Sequence, residues 1–251
     1  MPRDACMRIK AKAKAIKKES TKRAEQVCER LCLDTSGPFA PTLGGNTYWG
    51  EICDDKSNKS WDTLMKKKSA VPTLVEDLVI ELKAQGHQVK YLRMDNAGEH
   101  SKELIRKCHQ LGVEPEFTAP NTPQQNGIVE RRFVTDRDRA MAMMVAAGLN
   151  EEMRMLLKGE AILCAARIGD LLISGKRTQS AQEMYKKERP DLLHYLVEFG
   201  RIGYVADRSD IKKKFTEKER SASWLGMLLT TLRTPIGCTI QKPSTSSRPE
   251  M

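Results

Sequence analysis

Apolar and polar positions along the first half of the chain alternate between two periods. In RLCLD, Leu31 and Leu33 alternate with Cys32 and Asp34, the two-residue period of a pleated strand. The Gly- and Pro-rich stretch TSGPFAPTLGGN then reads as a turn region. NTYWGEICDD and KSWDTLM carry strand-forming residues on either side of a turn near Asp55 to Asn58. The period then changes. Pro72 opens a helix in which Leu74, Leu78 and Leu82 recur four apart, and Gly86 ends it. QVKYLRMD is a short strand with Asp95 at its C-terminal end. Leu104, Ile105, Cys108 and Leu111 line one face of a second helix that begins near Ser101 and stops at Gly112. VEPEFT is a further strand, TAPNTPQQNG a loop, and a long helix is predicted from about Gln125 to Ala147.

Three strands, then helix, strand, helix, strand and helix predict an α/β fold with a mixed five-stranded sheet flanked by helices. This order is the ribonuclease-H-like arrangement, in which the first and fourth strands are neighbours at the sheet centre. Beyond Gly148 the chain continues as helix to about Ser174. A link follows, then a small β-rich extension around VEFGRIGYVADR and ASWLGMLL, and a polar tail, KPSTSSRPEM. The expected divisions are a basic arm over 1–29, a core over 30–175, the extension over 176–235 and a disordered tail over 236–251.

Charge changes the picture next. The formal net charge is +10 over 251 residues. The stretch from Met1 to Arg30 holds ten Lys and Arg against four Asp and Glu. Such a balance favours a polyanionic partner, nucleic acid first and an anionic membrane surface second, although a solvated helix reads the same way. No apolar run is long enough to span a bilayer, and the basic N-terminus lacks the apolar stretch of a secretory signal. An intracellular protein, nuclear or cytoplasmic, is expected. Seven scattered cysteines without a CxxC pair read as reduced thiols. The four histidines have no zinc-site spacing.

The candidate chemistry rests on Asp34, Asp95 and Glu130. Asp34 is in the first strand, Asp95 closes the fourth, and Glu130 lies one turn into the long helix. This topology lets the three carboxylates converge. Together they would repel one another, and hard divalent cations remove that conflict. Oxygen ligands suit Mg²⁺, and a pair of ions can activate one oxygen and stabilise another at a phosphodiester. Each acid alone reads equally well as a surface, turn or cap residue.

Motif context carries the assignment further. LDTSGPF with Asp34, YLRMDNAGEH with Asp95, TAPNTPQQNGIVERR with Glu130 and SAQEMYKKERPDLLHYLVEFGRIGYV resemble, in order and spacing, segments of copia-type LTR retrotransposon integrases, within the retroviral integrase catalytic-core superfamily. The resemblance runs from about Cys6 to Met227. It implies a DDE-type polynucleotidyl transferase that trims the 3′ ends of element DNA and joins them to target DNA. By matching positions, Asp34, Asp95 and Glu130 become the catalytic and metal-binding triad, with Mg²⁺ or Mn²⁺ as a pair of ions. Asp54 and Asp55 resemble the family's paired acids after the second strand and are read as structural.

The amides of Gln124, Gln125 and Asn126, ahead of Gly127, can hydrogen-bond phosphates or base edges; they can equally cap a helix start. Arg131, Arg132 and Arg137 are candidate phosphate contacts or simply a solvated helix face. The resemblance also implies DNA as partner and a homo-oligomer, with neither a membrane nor a small-molecule cofactor. Several positions depart from the family pattern: Ala97 for Gly, His100 for an aromatic residue, Phe133 for Asn, and MRMLLKGEA where a Trp is usual. The N-terminal zinc segment is nearly missing, Cys6 alone standing for its last ligand. A fragment or decayed copy is expected from these, so a catalytically silent DNA-binding remnant is the alternative to an active integrase. A nuclease or cut-and-paste transposase of the same fold is a third possibility, against which the PQQNG-to-Glu130 stretch and the post-core segment argue.

Overall fold

A computed structural model describes residues 23–95, 101–117, 127–175, 177–189, 196–206 and 219–223. Strands β1 (Arg30–Ser36), β2 (Tyr48–Asp54) and β3 (Ser60–Met65) form an antiparallel meander. Helix α1 (Val71–Ala84) then crosses to β4 (Tyr91–Met94), parallel to β1. Helix α2 (Ser101–Gln110) crosses to β5 (Glu114–Phe117), parallel to β4. The sheet order is β3-β2-β1-β4-β5, the predicted mixed sheet with β1 and β4 adjacent at its centre.

Residues opposite one another in an antiparallel pair share a face of the sheet. Leu31, Leu33, Ile52 and Met65 take the face under α1 and α2, packing with Val75, Leu78, Val79, Leu82, Leu104 and Cys108. The other face carries two cross-strand rows, Cys32–Cys53–Ser60 and Asp34–Glu51–Asp62. Helices α3 (Gly127–Ala146) and α4 (Glu151–Leu171) cover it. Cys32 is therefore as buried as Leu31. The alternation in RLCLD separates two covered faces rather than a wet face from a dry one, because the strand lies centrally with helices on both sides.

Gly148, at φ 69°, ends α3, and Asn150 caps α4 by accepting from the Met153 amide at 2.9 Å. The helix read beyond Gly148 is thus a separate one. The link after it holds a short helix, α5 (Ala181–Lys186), which the hydrophobic pattern does not reveal; a capping box between Ser180 and Glu183 starts it. Tyr185 packs edge-on against Trp61 and stacks on His87, docking α5 beside β3 and the end of α1. Among the described residues beyond α5, β6 (Ile202–Ala206) pairs antiparallel with β7 (Glu219–Ser223). The residues of ASWLGMLL after Ser223, and the basic stretch before Arg23, lie outside the described residues. So do Ala97 and His100. No helix among the described residues is long and apolar enough to cross a membrane. The five described cysteines are buried free thiols.

Candidate active site

Parallel pairing of β1 with β4 sends both C-terminal ends to the same edge of the sheet. Asp34 lies near the end of β1 and Asp95 directly follows β4. Glu130 enters from the first turn of α3, which sits on that face because Val129 is fully buried against Cys32 and Cys53. Asp34 and Glu130 are half-buried and Asp95 is exposed.

The Asp34 Oδ1 accepts the Thr35 amide at 2.7 Å. Its pKa is nonetheless pushed up from 3.8 to about 6. Burial is the main cause, and the negative charges of Asp95 and Glu130 add to it, against the pull of the Thr35 amide and of Lys68. Burial also raises the Glu130 carboxyl, partly offset by Arg131. Asp34 thus lies within electrostatic reach of Asp95 and Glu130. Among the described residues, however, no three His, Cys, Asp or Glu side chains are drawn tightly enough together to hold a metal ion. Carboxylate oxygens are nonetheless the donor type that hard divalent cations take.

Lys68 was not singled out by the sequence reading. It sits in a short 3-10 turn, Lys68–Ala70, just beyond β3, which ends at the same end of the sheet as β1 with the start of β2 between them. Lys66 and Lys67 before it are exposed. The lysine run in LMKKKSA was the available signal; nothing local showed that it would arrive beside Asp34.

The remaining sequence candidates fall in different places. Gln124, Gln125 and Asn126 lie outside the described residues. Arg131 is exposed on the first turn of α3, its guanidinium over Gly127. Arg137 is exposed two turns further along and pairs with Asp138 at 3.3 Å. Arg132 is a correction. It is no solvated phosphate contact: its side chain is only 13% exposed and its guanidinium donates to Asn58 O, Ser60 Oγ and Asp170 Oδ1, each at 2.7 Å. Helical periodicity is the reason, since Val129, Arg132, Asp136 and Ala140 share the inward face of α3. Phe133 likewise turns inward, edge-on to Trp49 with ring centroids 4.3 Å apart.

Asp54 and Asp55 lie at the opposite end of the sheet from Asp34. Asp54 accepts from the Cys28 and Ser57 amides at 2.8 Å and from Ser57 Oγ at 2.6 Å. Asp55 accepts the Ala24 amide at 2.8 Å and pairs with Arg30 at 3.4 Å. These bonds tie residues 24–30 to the β2–β3 turn, so both acids hold structure.

No family model matches the chain. The chain is 33% identical over 130 residues to a retrovirus-related Pol polyprotein from transposon TNT 1-94 of Nicotiana tabacum. That alignment takes in 50% of this chain and 10% of the polyprotein. Among solved structures, a chain of the simian T-cell lymphotropic virus intasome in complex with PP2A regulatory subunit B56 gamma is similar at a TM-score of 0.51 and 13% identity. It covers 80% of this chain and 70% of its own length, a likeness of fold. The catalytic core domain of BIV integrase aligns with 64% of this chain and 95% of its own at TM-score 0.45 and 18% identity. Over half its length the chain is thus similar in sequence to part of a retrotransposon Pol polyprotein, of which it spans about a tenth, and its fold is similar to that of a retroviral intasome chain.

Proposed function

We propose that the chain is a DDE-type polynucleotidyl transferase that processes 3′ DNA ends and joins them to target DNA, with residues 30–175 as the catalytic core and 176–235 as an extension to it. One observation carries the reading: the parallel pairing of β1 with β4 brings Asp34 and Asp95 to one end of the sheet, where the first turn of α3 presents Glu130. A carboxylate trio at a sheet edge is suited to phosphodiester chemistry once its charge is neutralised.

Asp34, Asp95 and Glu130 would hold Mg²⁺ or Mn²⁺, as a pair of ions, which when bound supply charge neutralisation at the phosphorus and a more acidic attacking oxygen. The half-buried setting of Asp34 excludes part of the water that would otherwise screen this charge. In the first reaction a water gives up a proton as its oxygen bonds to phosphorus, the P–O bond to the 3′ oxygen breaks, and that oxygen takes up a proton. In the second the new 3′ hydroxyl loses its proton and bonds to a target phosphorus, and the target's own 3′ oxygen leaves and takes up a proton. Arg131, with Lys66, Lys67 and Lys68 at the same edge, would meet the DNA backbone. Gln124, Gln125 and Asn126 would contact the reacting end, and Arg137 a more distant phosphate. The likeness to part of an intasome supports work as a homo-oligomer on two DNA ends, in the nucleus or cytoplasm.

Purified protein with Mn²⁺ is expected to perform strand transfer, or its reversal, on a branched DNA oligonucleotide. Glu130→Gln is expected to abolish this and leave DNA binding intact. Folded protein that binds DNA without reaction would instead identify a catalytically silent DNA-binding remnant.

A further inference from the structure

We infer that Arg132 is a positioning residue for Glu130, its guanidinium clamping the first turns of α3 onto β2 and α4 so that the glutamate faces Asp34. The inference rests on the proposed carboxylate site and adds to it the part that sets its geometry.

Arg132 is two residues beyond Glu130 on the same helix. Its Nε lies 3.1 Å from Glu51 Oε1 and 3.3 Å from Asp136 Oδ2, close to both without an aligned hydrogen bond. Its two terminal nitrogens reach Asn58 O, Ser60 Oγ, Asp170 Oδ1 and, at 3.1 Å, Ala166 O. One planar fork thus touches β2, the β2–β3 turn, β3 and α4. A guanidinium gripped on several sides holds angle as well as distance, which a single ammonium does not.

The register gives the clamp its consequence. Glu51 is the cross-strand partner of Asp34, on the same sheet face. Arg132 therefore links the helix that carries Glu130 to the residue beside Asp34. The other inward contacts of these turns are apolar: Val129 on Cys32 and Cys53, and Phe133 on Trp49. Apolar contact is non-directional and would let the helix slide or roll. Space for the clamp is built in as well: a Cβ at Gly169 of α4 would stand 2.6 Å from Arg139 Nη1 and 3.6 Å from Arg132 Nη2. Arg139 in turn pairs with Asp136 at 2.5 Å, so Asp136 is held from both sides.

Arg132 could also serve stability alone, so the test needs a readout that stability does not move. The full chain, Arg132→Lys and Glu130→Gln are compared by Mn²⁺ titration with free Mn²⁺ followed by electron paramagnetic resonance. Amide hydrogen exchange at residues 128–131 and circular dichroism accompany it. Arg132→Lys keeps the charge and loses the fork. It is expected to fold, to bind Mn²⁺ at least tenfold more weakly, to exchange faster at 128–131, and to regain strand transfer as Mn²⁺ is raised. Wild-type Mn²⁺ affinity in folded Arg132→Lys overturns the inference. If not even the wild type binds Mn²⁺, the carboxylate-site reading fails; faster exchange at 128–131 would then leave the clamp standing, and unchanged exchange would remove it too. Should Arg132→Lys not fold, Asp170→Asn, which releases one arm of the clamp from α4, is read by the same criteria.

Discussion

Two groups of acids share one face of the sheet, and they are balanced in opposite ways. Inward, Glu51, Asp136 and Asp170 are buried among Lys59, Arg132 and Arg139. Outward, among the described residues, the cations that act on Asp34 and Glu130 are Lys68 and Arg131, and no ion pair joins either acid to them. The row Asp34–Glu51–Asp62 passes from one group into the other across β1, β2 and β3. Where acids meet fixed cations the chain spends them on architecture, since a buried charge is tolerated only when paired. Where acids meet no fixed partner at the sheet edge, a mobile cation can supply the missing charge. Excess negative charge, rather than acidity as such, separates the candidate site from the scaffold beside it.

Removing the hub of the inner group is the strongest way to break this comparison. Arg132→Met leaves Asp136 and Asp170 short of their shared cation, and breaking a buried pair on one side costs about 3–5 kcal/mol. Urea unfolding of the metal-free protein is expected to record a loss of that size. A change below ~1 kcal/mol would mean that the inner acids do not depend on Arg132.

The outer group should respond in the opposite sense. Asp34→Asn is expected to lower strand transfer by at least about a hundredfold, some 2.7 kcal/mol of transition-state stabilisation, while stabilising the metal-free fold. The pKa of Asp34 is raised to about 6, so its folded-state contribution is fully present below about pH 4 and is lost as pH climbs through 6. Above that pH the variant is expected to gain about 1 kcal/mol, discounted for solvent screening at a half-buried group. Mn²⁺ should then raise the melting temperature of the wild type and not of the variant. A variant destabilised at pH 8 would show that Asp34 is matched by a fixed cation after all.

Glu51 sharpens the boundary between the groups. Burial, with Asp62, Asp136 and Asp170 nearby, pushes its pKa up to about 10 despite Arg132. It is then neutral in the folded protein at pH 7 but ionised in the unfolded chain. Its stabilising contribution is complete below about pH 4.5 and declines as pH rises toward 10. Glu51→Gln is expected to raise the melting temperature by a few degrees at pH 9 and by less at pH 5. A loss of stability that is equal at both pH values would show Glu51 ionised and bonded to Arg132.

The contrast between the groups was only half legible in the chain. Pro72, the Leu74–Leu78–Leu82 spacing and Gly86 bracket α1 well, because punctuation and period agree there. The strand meander and the crossovers to β4 and β5 followed from the same signals, and with them the placing of Asp34 and Asp95 at one end of adjacent strands. Arg132 was not legible, since next to Arg131 it looks like one more surface cation. Its inward direction depends on which face of α3 meets the sheet, and Val129, Ala140 and Met144 mark that face only faintly among so many charges. Helix α5 escaped because six residues are too few for a period; its sole local mark was Ser180 ahead of Glu183. The lysines after β3 showed their charge plainly but not their address, which is set by the register of three strands.

That address gives the smallest and most specific test. Lys66, Lys67 and Lys68 lie at the end of β3, and no acid among the described residues forms an ion pair with them. If they meet DNA phosphates, each neutralised phosphate releases counterions, and log affinity should fall with log salt by about 0.9 per contact. Replacing all three by Gln is expected to flatten that slope by about 2–3 and weaken binding uniformly across DNA sequences. The comparison variant is Arg137→Gln, where Asp138 already shares the charge; its slope should change by less than about 1. Fluorescence anisotropy of a labelled duplex between low and moderate salt measures both. Equal slopes for the triple variant and the wild type would place the DNA path elsewhere, and the lysines would then act only through the field they exert on Asp34.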